Sequence, residues 1–98
     1  MGGKRGLMPQ FNANDLRTID QILGGVVGVF RRDKGMSEND LGENLGLTSQ
    51  DISSREKGEI PITASELYVI GETLGIKCEL FYYTLREPEV FLRNIDEA

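Results

Sequence analysis

Residues 37–58, SENDLGENLGLTSQDISSREKG, decide the fold. Two short amphipathic runs lie here, each opened by a hydroxyl residue and parted by Gly46. Ser37 stands three residues ahead of Asp40, and Thr48 three ahead of Asp51. A hydroxyl so placed accepts an orphan backbone N–H of the first helical turn, and the acid suits the positive end of the helix dipole. The full capping box takes Glu or Gln in the acid's place, so two shortened versions of it are expected. Gly46 falls where the first helix must end and the backbone needs positive φ. Leu41 and Leu45 lie four apart on one helix and Ile52 projects from the next, so both can share one small core. Helix, tight glycine-containing turn, helix reads as a helix-turn-helix.

The whole chain of 98 residues fits one small domain of about four or five helices. No apolar run reaches the roughly 18 residues that a membrane span needs. Lys4 and Arg5 are followed by no long apolar block, so the N-terminus does not read as a secretory signal. One cysteine and no histidine exclude a disulfide framework and a Cys/His metal cluster. A cytoplasmic protein without metal or cofactor is the expectation. Nor is an enzyme expected: there is no histidine base, no phosphate-cradling glycine loop and no nucleophile beside a base.

Charge argues against an obvious nucleic-acid partner. The net is −5, from eleven basic and sixteen acidic side chains. Residues 1–34 nevertheless carry six basic and three acidic side chains, a net of +3. Attraction to DNA must therefore come mostly from the N-terminal third.

Three regions follow. Residues 1–14 read as a flexible arm, either a plain tail or a basic arm whose Lys4 and Arg5 lie along phosphates. Residues 15–83 read as the helical domain, and 84–98 as a C-terminal extension. Asn14 is the expected cap of a helix to about Lys34, with Leu16, Ile19, Leu23, Val26, Val27 and Phe30 facing the core. Gly24, Gly25 and Gly28 each cost roughly 1 kcal/mol there relative to Ala. Either a second element approaches closely at these glycines, or a well-packed helix tolerates them. Thr63 with Glu66 forms a full capping box for a fourth helix ending near Leu74. Leu67, Ile70 and Leu74 are its core face, with Tyr68 nearby. Residues 76–85 are apolar and aromatic enough for a strand, but a short fifth helix over about 78–83 is the favoured reading, with Cys78 as a small buried hydrophobe.

These residues together resemble the Cro and phage-repressor type of helix-turn-helix regulators, the xenobiotic-response-element family. The resemblance looks closest to a subgroup common in alphaproteobacteria. It covers about residues 19–83 without a gap. It is carried by Leu23-Gly24, Gly35-Met36-Ser37, Leu41-Gly42-Glu43, Leu45-Gly46-Leu47-Thr48, Gln50, Glu56-Lys57-Gly58, Leu67-Tyr68 and Phe81, among others. It implies an all-α, compact five-helix domain with helices 2 and 3 as the motif and helix 3 in the major groove. By position it implies base reading by Ser49, Gln50, Asp51, Ser53 and Ser54. Gln50 is foremost, because its amide can pair with adenine in two places. It also implies an ion pair between Arg31 and Glu56 that joins helix 1 to helix 3.

Several positions depart from the family in one direction. Glu38 stands where the family usually has glutamine, and Val26, Gly28 and Phe30 stand where the subgroup is often basic. Arg55 is the exception, able to snorkel out to a phosphate. The phosphate set expected from sequence is Lys4, Arg5, Arg32, Lys34, Ser37, Arg55 and Lys57.

Two functions are compatible with these residues. One is a sequence-specific regulator that binds double-stranded DNA as a homodimer, joined through Phe81, Tyr82, Tyr83, Val90, Phe91 and Leu92. The other is a helix-turn-helix domain turned protein-interaction module, a co-regulator or anti-repressor, with a protein partner on the apolar helix 1. The motif favours the first; the acidic charge favours the second.

Overall fold

A computed structural model describes residues 12–87 of the chain. Five helices follow in order: α1 (Ala13–Asp33), α2 (Glu38–Leu45), α3 (Ser49–Glu56), α4 (Ala64–Leu74) and α5 (Cys78–Arg86). No strand occurs among the described residues. α2 and α3 pack on each other, α1 packs on α3, α4 and α5, and α2 packs on α4.

Capping sets the boundaries. Asn12, not Asn14, opens α1, accepting from the Asp15 N–H while Asp15 accepts from the Asn12 N–H at 2.9 Å. The boxes at Ser37 and Thr48 are complete rather than shortened. The carboxylates of Asp40 and Asp51 each reach back to the N-cap N–H at 3.0 Å. Aspartate thus serves where the rule names Glu or Gln. Gly46 ends α2 in the left-handed region, at φ 71°, which a side chain with Cβ disfavours. Four residues earlier, a Cβ on Gly42 would collide with the Leu47 carbonyl oxygen. The Leu47 N–H donates to Gly42 C=O at 2.9 Å, so the turn closes directly over the bare glycine.

Each helix contributes to one core: Leu23, Val26 and Val27 from α1, Leu41, Ile52, Ile70 and Leu74 from the next three, and Phe81 from α5. Burying side chains of this kind is worth roughly 1.5–3 kcal/mol each, which holds five short helices together without disulfide or metal.

Four sequence expectations change. Leu16 is 59% exposed, while Leu23 and Val27, two and three turns further along α1, are buried. Tyr68 is exposed as well. α5 runs on past 83 to Arg86, and within it Thr84 is buried, its hydroxyl donating to Phe81 C=O at 2.7 Å. Cys78, the first residue of α5, is exposed rather than buried, because the apolar face of that helix is turned inward at Phe81 and Thr84. Lys4, Arg5, Val90, Phe91 and Leu92 lie outside the described residues.

Candidate nucleic-acid interface

α3 carries the side chains expected to read bases. Ser49 and Gln50 are exposed in its first turn, and Ser53 and Ser54 are half-buried one turn on. Gln50, Ser53, Ser54 and Lys57 fall at i, i+3, i+4 and i+7, which makes one continuous helical face. Ile52 lies on the opposite, buried side. Asp51 is less free than its neighbours, because its carboxylate accepts the Thr48 N–H. Hydrogen bonds from the Thr48 backbone and side chain hold its pKa below the usual carboxylate range, with a smaller contribution from the Arg55 charge.

Two arginine–glutamate pairs fix this helix. Arg31 Nε and Nη2 donate to Glu56 Oε2 and Oε1 at 2.6 and 3.0 Å, and Nη1 donates to the Met36 carbonyl at 2.7 Å. Both side chains are only 9% exposed. The hydrogen bonds to Glu56, with the Glu56 charge and that of Glu38, raise the Arg31 pKa above its ordinary value against the effect of desolvation. On the other flank Arg55 Nε and Nη2 donate to Glu66 at 3.0 and 3.1 Å, while Nη1 donates to the Asp51 carbonyl. Such two-point pairs set orientation as well as energy. α3 is thereby tied to α1 by its last residue and to α4 by the one before.

The second pair alters the expected phosphate set. Arg55 does not snorkel to solvent; Glu66 and the Asp51 carbonyl occupy all three of its nitrogens. Lys34 points elsewhere too, with Nζ close beside Gly75 at the end of α4. Ser37 is the α2 N-cap, its hydroxyl accepting from the Asp40 N–H at 2.9 Å. Phe81, expected at a dimer contact, is 1% exposed and belongs to the core. Tyr82 and Tyr83 remain exposed, with the Arg86 guanidinium 5.9 Å from the Tyr82 ring centre.

A cleft of about 320 Å³ lies between α1, the start of α2 and α3. Gly24, Gly25 and Gly28 line it on α1, Ser53 and Lys57 on the α3 side, with Arg32 and Glu38 beside them and the Arg31–Glu56 pair between. Its side chains carry three positive and two negative charges, a net of +1 in a chain of −5. Of the expected phosphate ligands, then, Arg32 and Lys57 come together with Ser53. The glycines explain how α1 and α3 approach so closely. A Cβ on Gly24 would overlap the Arg55 carbonyl oxygen and lie 2.7 Å from that of Glu56. One on Gly28 would stand 2.9 Å from Glu56 Oε1 and 3.2 Å from Arg32 Nη1. Of the two readings of these glycines, close approach holds at Gly24 and Gly28.

Sequence reasoning missed Glu66 as a partner of α3. Its capping role was visible in the spacing from Thr63, but nothing in the spacing from Arg55 marks a pair across two helices.

Comparison with known proteins bears on this geometry. The solved structures of the clp gene regulator ClgR from Corynebacterium glutamicum superpose on this chain with TM-scores of 0.66 and 0.68, at 21% and 19% identity. They cover 71% and 81% of this chain, and 91% and 84% of their own. The fold is a helix-turn-helix domain. In sequence the chain is 38% identical over 64 residues to uncharacterized HTH-type transcriptional regulators of Sinorhizobium medicae and Rhizobium meliloti. That stretch is 65% of this chain and 46% of each relative, so the chain spans under half the length of these curated relatives. An uncharacterized transcriptional regulator in the ATPase CF(0) region of Rhodospirillum rubrum is 26% identical over 82 residues, 84% of this chain and 76% of its own length. No protein-family model matches the chain. No described helix is long and apolar enough to cross a membrane.

Proposed function

We propose that this protein is a sequence-specific DNA-binding transcriptional regulator of the Cro and phage-repressor type, with α3 in the major groove. One observation carries the reading. The exposed polar face of α3 runs directly into a cleft of net positive charge, within a chain that is acidic overall. Gln50 is the principal base reader, supported by Ser49, Ser53 and Ser54, while Arg32 and Lys57 meet phosphates. The Lys4-Arg5 arm adds charge to the same task. The relatives named as transcriptional regulators support the same reading.

With Arg31 paired to Glu56, only Arg32 and Lys57 in the cleft are left for phosphate, so a single domain binds weakly and a homodimer doubles the count. Tyr82 and Tyr83 are the exposed aromatic surface of α5 suited to that contact, with Val90, Phe91 and Leu92 close behind them in sequence. The alternative, a protein-interaction module working through helix 1, has less to stand on. Much of the apolar circumference of α1 is covered by α3, α4 and α5, and two of its three glycines serve the contact with α3.

Fluorescence anisotropy against fragments of the host genome at two salt concentrations tests the proposal. Binding that weakens linearly in log salt is expected. No binding at low salt overturns it. Light scattering tests the dimer: a monomer at high concentration contradicts it.

A further inference from the structure

Gly25 has no packing reason to be glycine. Unlike Gly24 and Gly28 it is exposed, and a Cβ built on it meets nothing within 4 Å beyond its chain neighbours and the backbone of its own helix. Glycine inside a helix is unfavourable relative to alanine, and α1 bears that penalty here without using the space to approach another element. Yet Gly25 lines the cleft, in a wall where α1 presents bare backbone. Across from it stand Ser53 and Lys57, with Arg32 one turn further along α1 beyond Gly28.

We propose that this cleft seats a phosphodiester segment of bound duplex DNA, and that Gly25 is the clearance that lets the strand lie against α1. The inference rests on the DNA-binding reading and extends it, because it makes the middle of the first helix part of the interface. Three features select this occupant. The cleft carries a net charge of +1 in a chain of −5, so it favours an anion. It opens beside Ser53, on the face of α3 that enters the groove, so a strand flanking that groove passes across it. The Arg31–Glu56 pair between the walls neutralises itself through its two-point contact, leaving Arg32 and Lys57 to meet the phosphate, opposed by Glu38.

The experiment compares wild type, Gly25→Ala and Gly25→Leu on the full chain. Melting temperatures and anisotropy titrations are measured with a labelled mixed-sequence duplex of about 30 base pairs, at salt from about 50 to 200 mM. Both variants fill open space with better helix formers, so both melt higher, by roughly 4 °C. The proposal expects DNA affinity to fall in the order wild type, Ala, Leu, with the salt slope shallower by about 0.9 for every phosphate no longer neutralised. Raised stability with unchanged duplex binding overturns it while leaving the regulator reading intact. Wild type that binds no duplex at low salt overturns both. Inorganic phosphate is titrated in parallel; if Gly25→Leu weakens phosphate binding but not duplex binding, the cleft serves a free anion and the proposal fails.

Discussion

Arg55 of α3 grips Glu66 of α4 by two parallel hydrogen bonds, at 3.0 and 3.1 Å, in the same manner that Arg31 of α1 grips Glu56. The oxygen of Glu66 that takes Arg55 Nε also accepts the Thr63 N–H at 3.1 Å. One carboxylate thus starts α4 and anchors α3 to it.

Removing that carboxylate should cost both functions at once. Glu66→Ala is expected to destabilise the domain by about 1–3 kcal/mol, combining a missing cap with a broken charged pair that is partly solvent-screened. Glu66→Gln, which retains hydrogen-bonding oxygen and shape, should cost less. Urea unfolding of the two variants measures the difference; equal stabilities would contradict the double role.

The Arg31–Glu56 pair is more deeply buried, and breaking it from one side strands a charge. Arg31→Met or Glu56→Gln alone should cost about 3–5 kcal/mol, and the double variant distinctly less than the sum. A double-mutant cycle by chemical denaturation reads the coupling. Strict additivity would show that the two side chains do not act as a pair.

The helix-turn-helix was legible because its information is local. Hydroxyl-to-acid spacing placed α2 and α3, and Gly46 placed the turn between them. The core residues Leu41, Ile52, Ile70 and Leu74 followed from helical period. The resemblance supplied what period could not, the Arg31–Glu56 contact across 25 residues. What escaped was long-range or decided by how much neighbour a residue has. Leu16 shares the apolar stripe of Leu23, yet it stays exposed in the first turn of α1. Phe81 is as apolar as the tyrosines beside it, but helical phase turns it inward and leaves Tyr82 and Tyr83 outside. The Arg55–Glu66 pair was invisible because each partner had a sufficient local reading, one as a phosphate ligand and the other as a cap. At the interface, the residue types were legible and their grouping was not. Only folding separates Arg32 and Lys57, which share the cleft, from Lys34 and Arg55, which do not.

Acid should loosen the domain at its helix starts. Hydrogen bonds from Ser37, its backbone first, depress Asp40, those from Thr48 depress Asp51, and those from Arg55 and then Thr63 depress Glu66. A depressed carboxylate contributes stability above its unfolded pKa, and that stability is lost as pH falls through the folded value. Stability should therefore hold through neutral pH and decline as pH drops through and below about 4. Thermal melts from pH 7 to about pH 2.5 follow this, and Glu66→Gln should flatten part of the acid limb. A decline that begins near pH 6 would be at odds with it.

Glu38 is the carboxylate in the cleft that no hydrogen bond commits to a capping box or a two-point pair. Glu38→Gln removes a negative charge beside the proposed phosphate path and restores the amide usual at the start of helix 2 in the family the chain resembles. Tighter duplex binding by several-fold is expected, because a charge that repels the phosphate is removed. Anisotropy at low salt measures it; unchanged or weaker binding would place the DNA backbone away from this side of the cleft.

The most direct measurement is selection of duplexes from a random-sequence pool by the wild type and by Gln50→Ala. If α3 reads the major groove, wild type enriches a defined site, two-fold symmetric if the dimer is the binding unit. Gln50→Ala then relaxes the preference at one base pair per half-site by about 1–3 kcal/mol, while binding to unselected duplex is little changed. Failure of wild type to enrich any sequence, or an identical site for the variant, contradicts α3 as the reader of DNA.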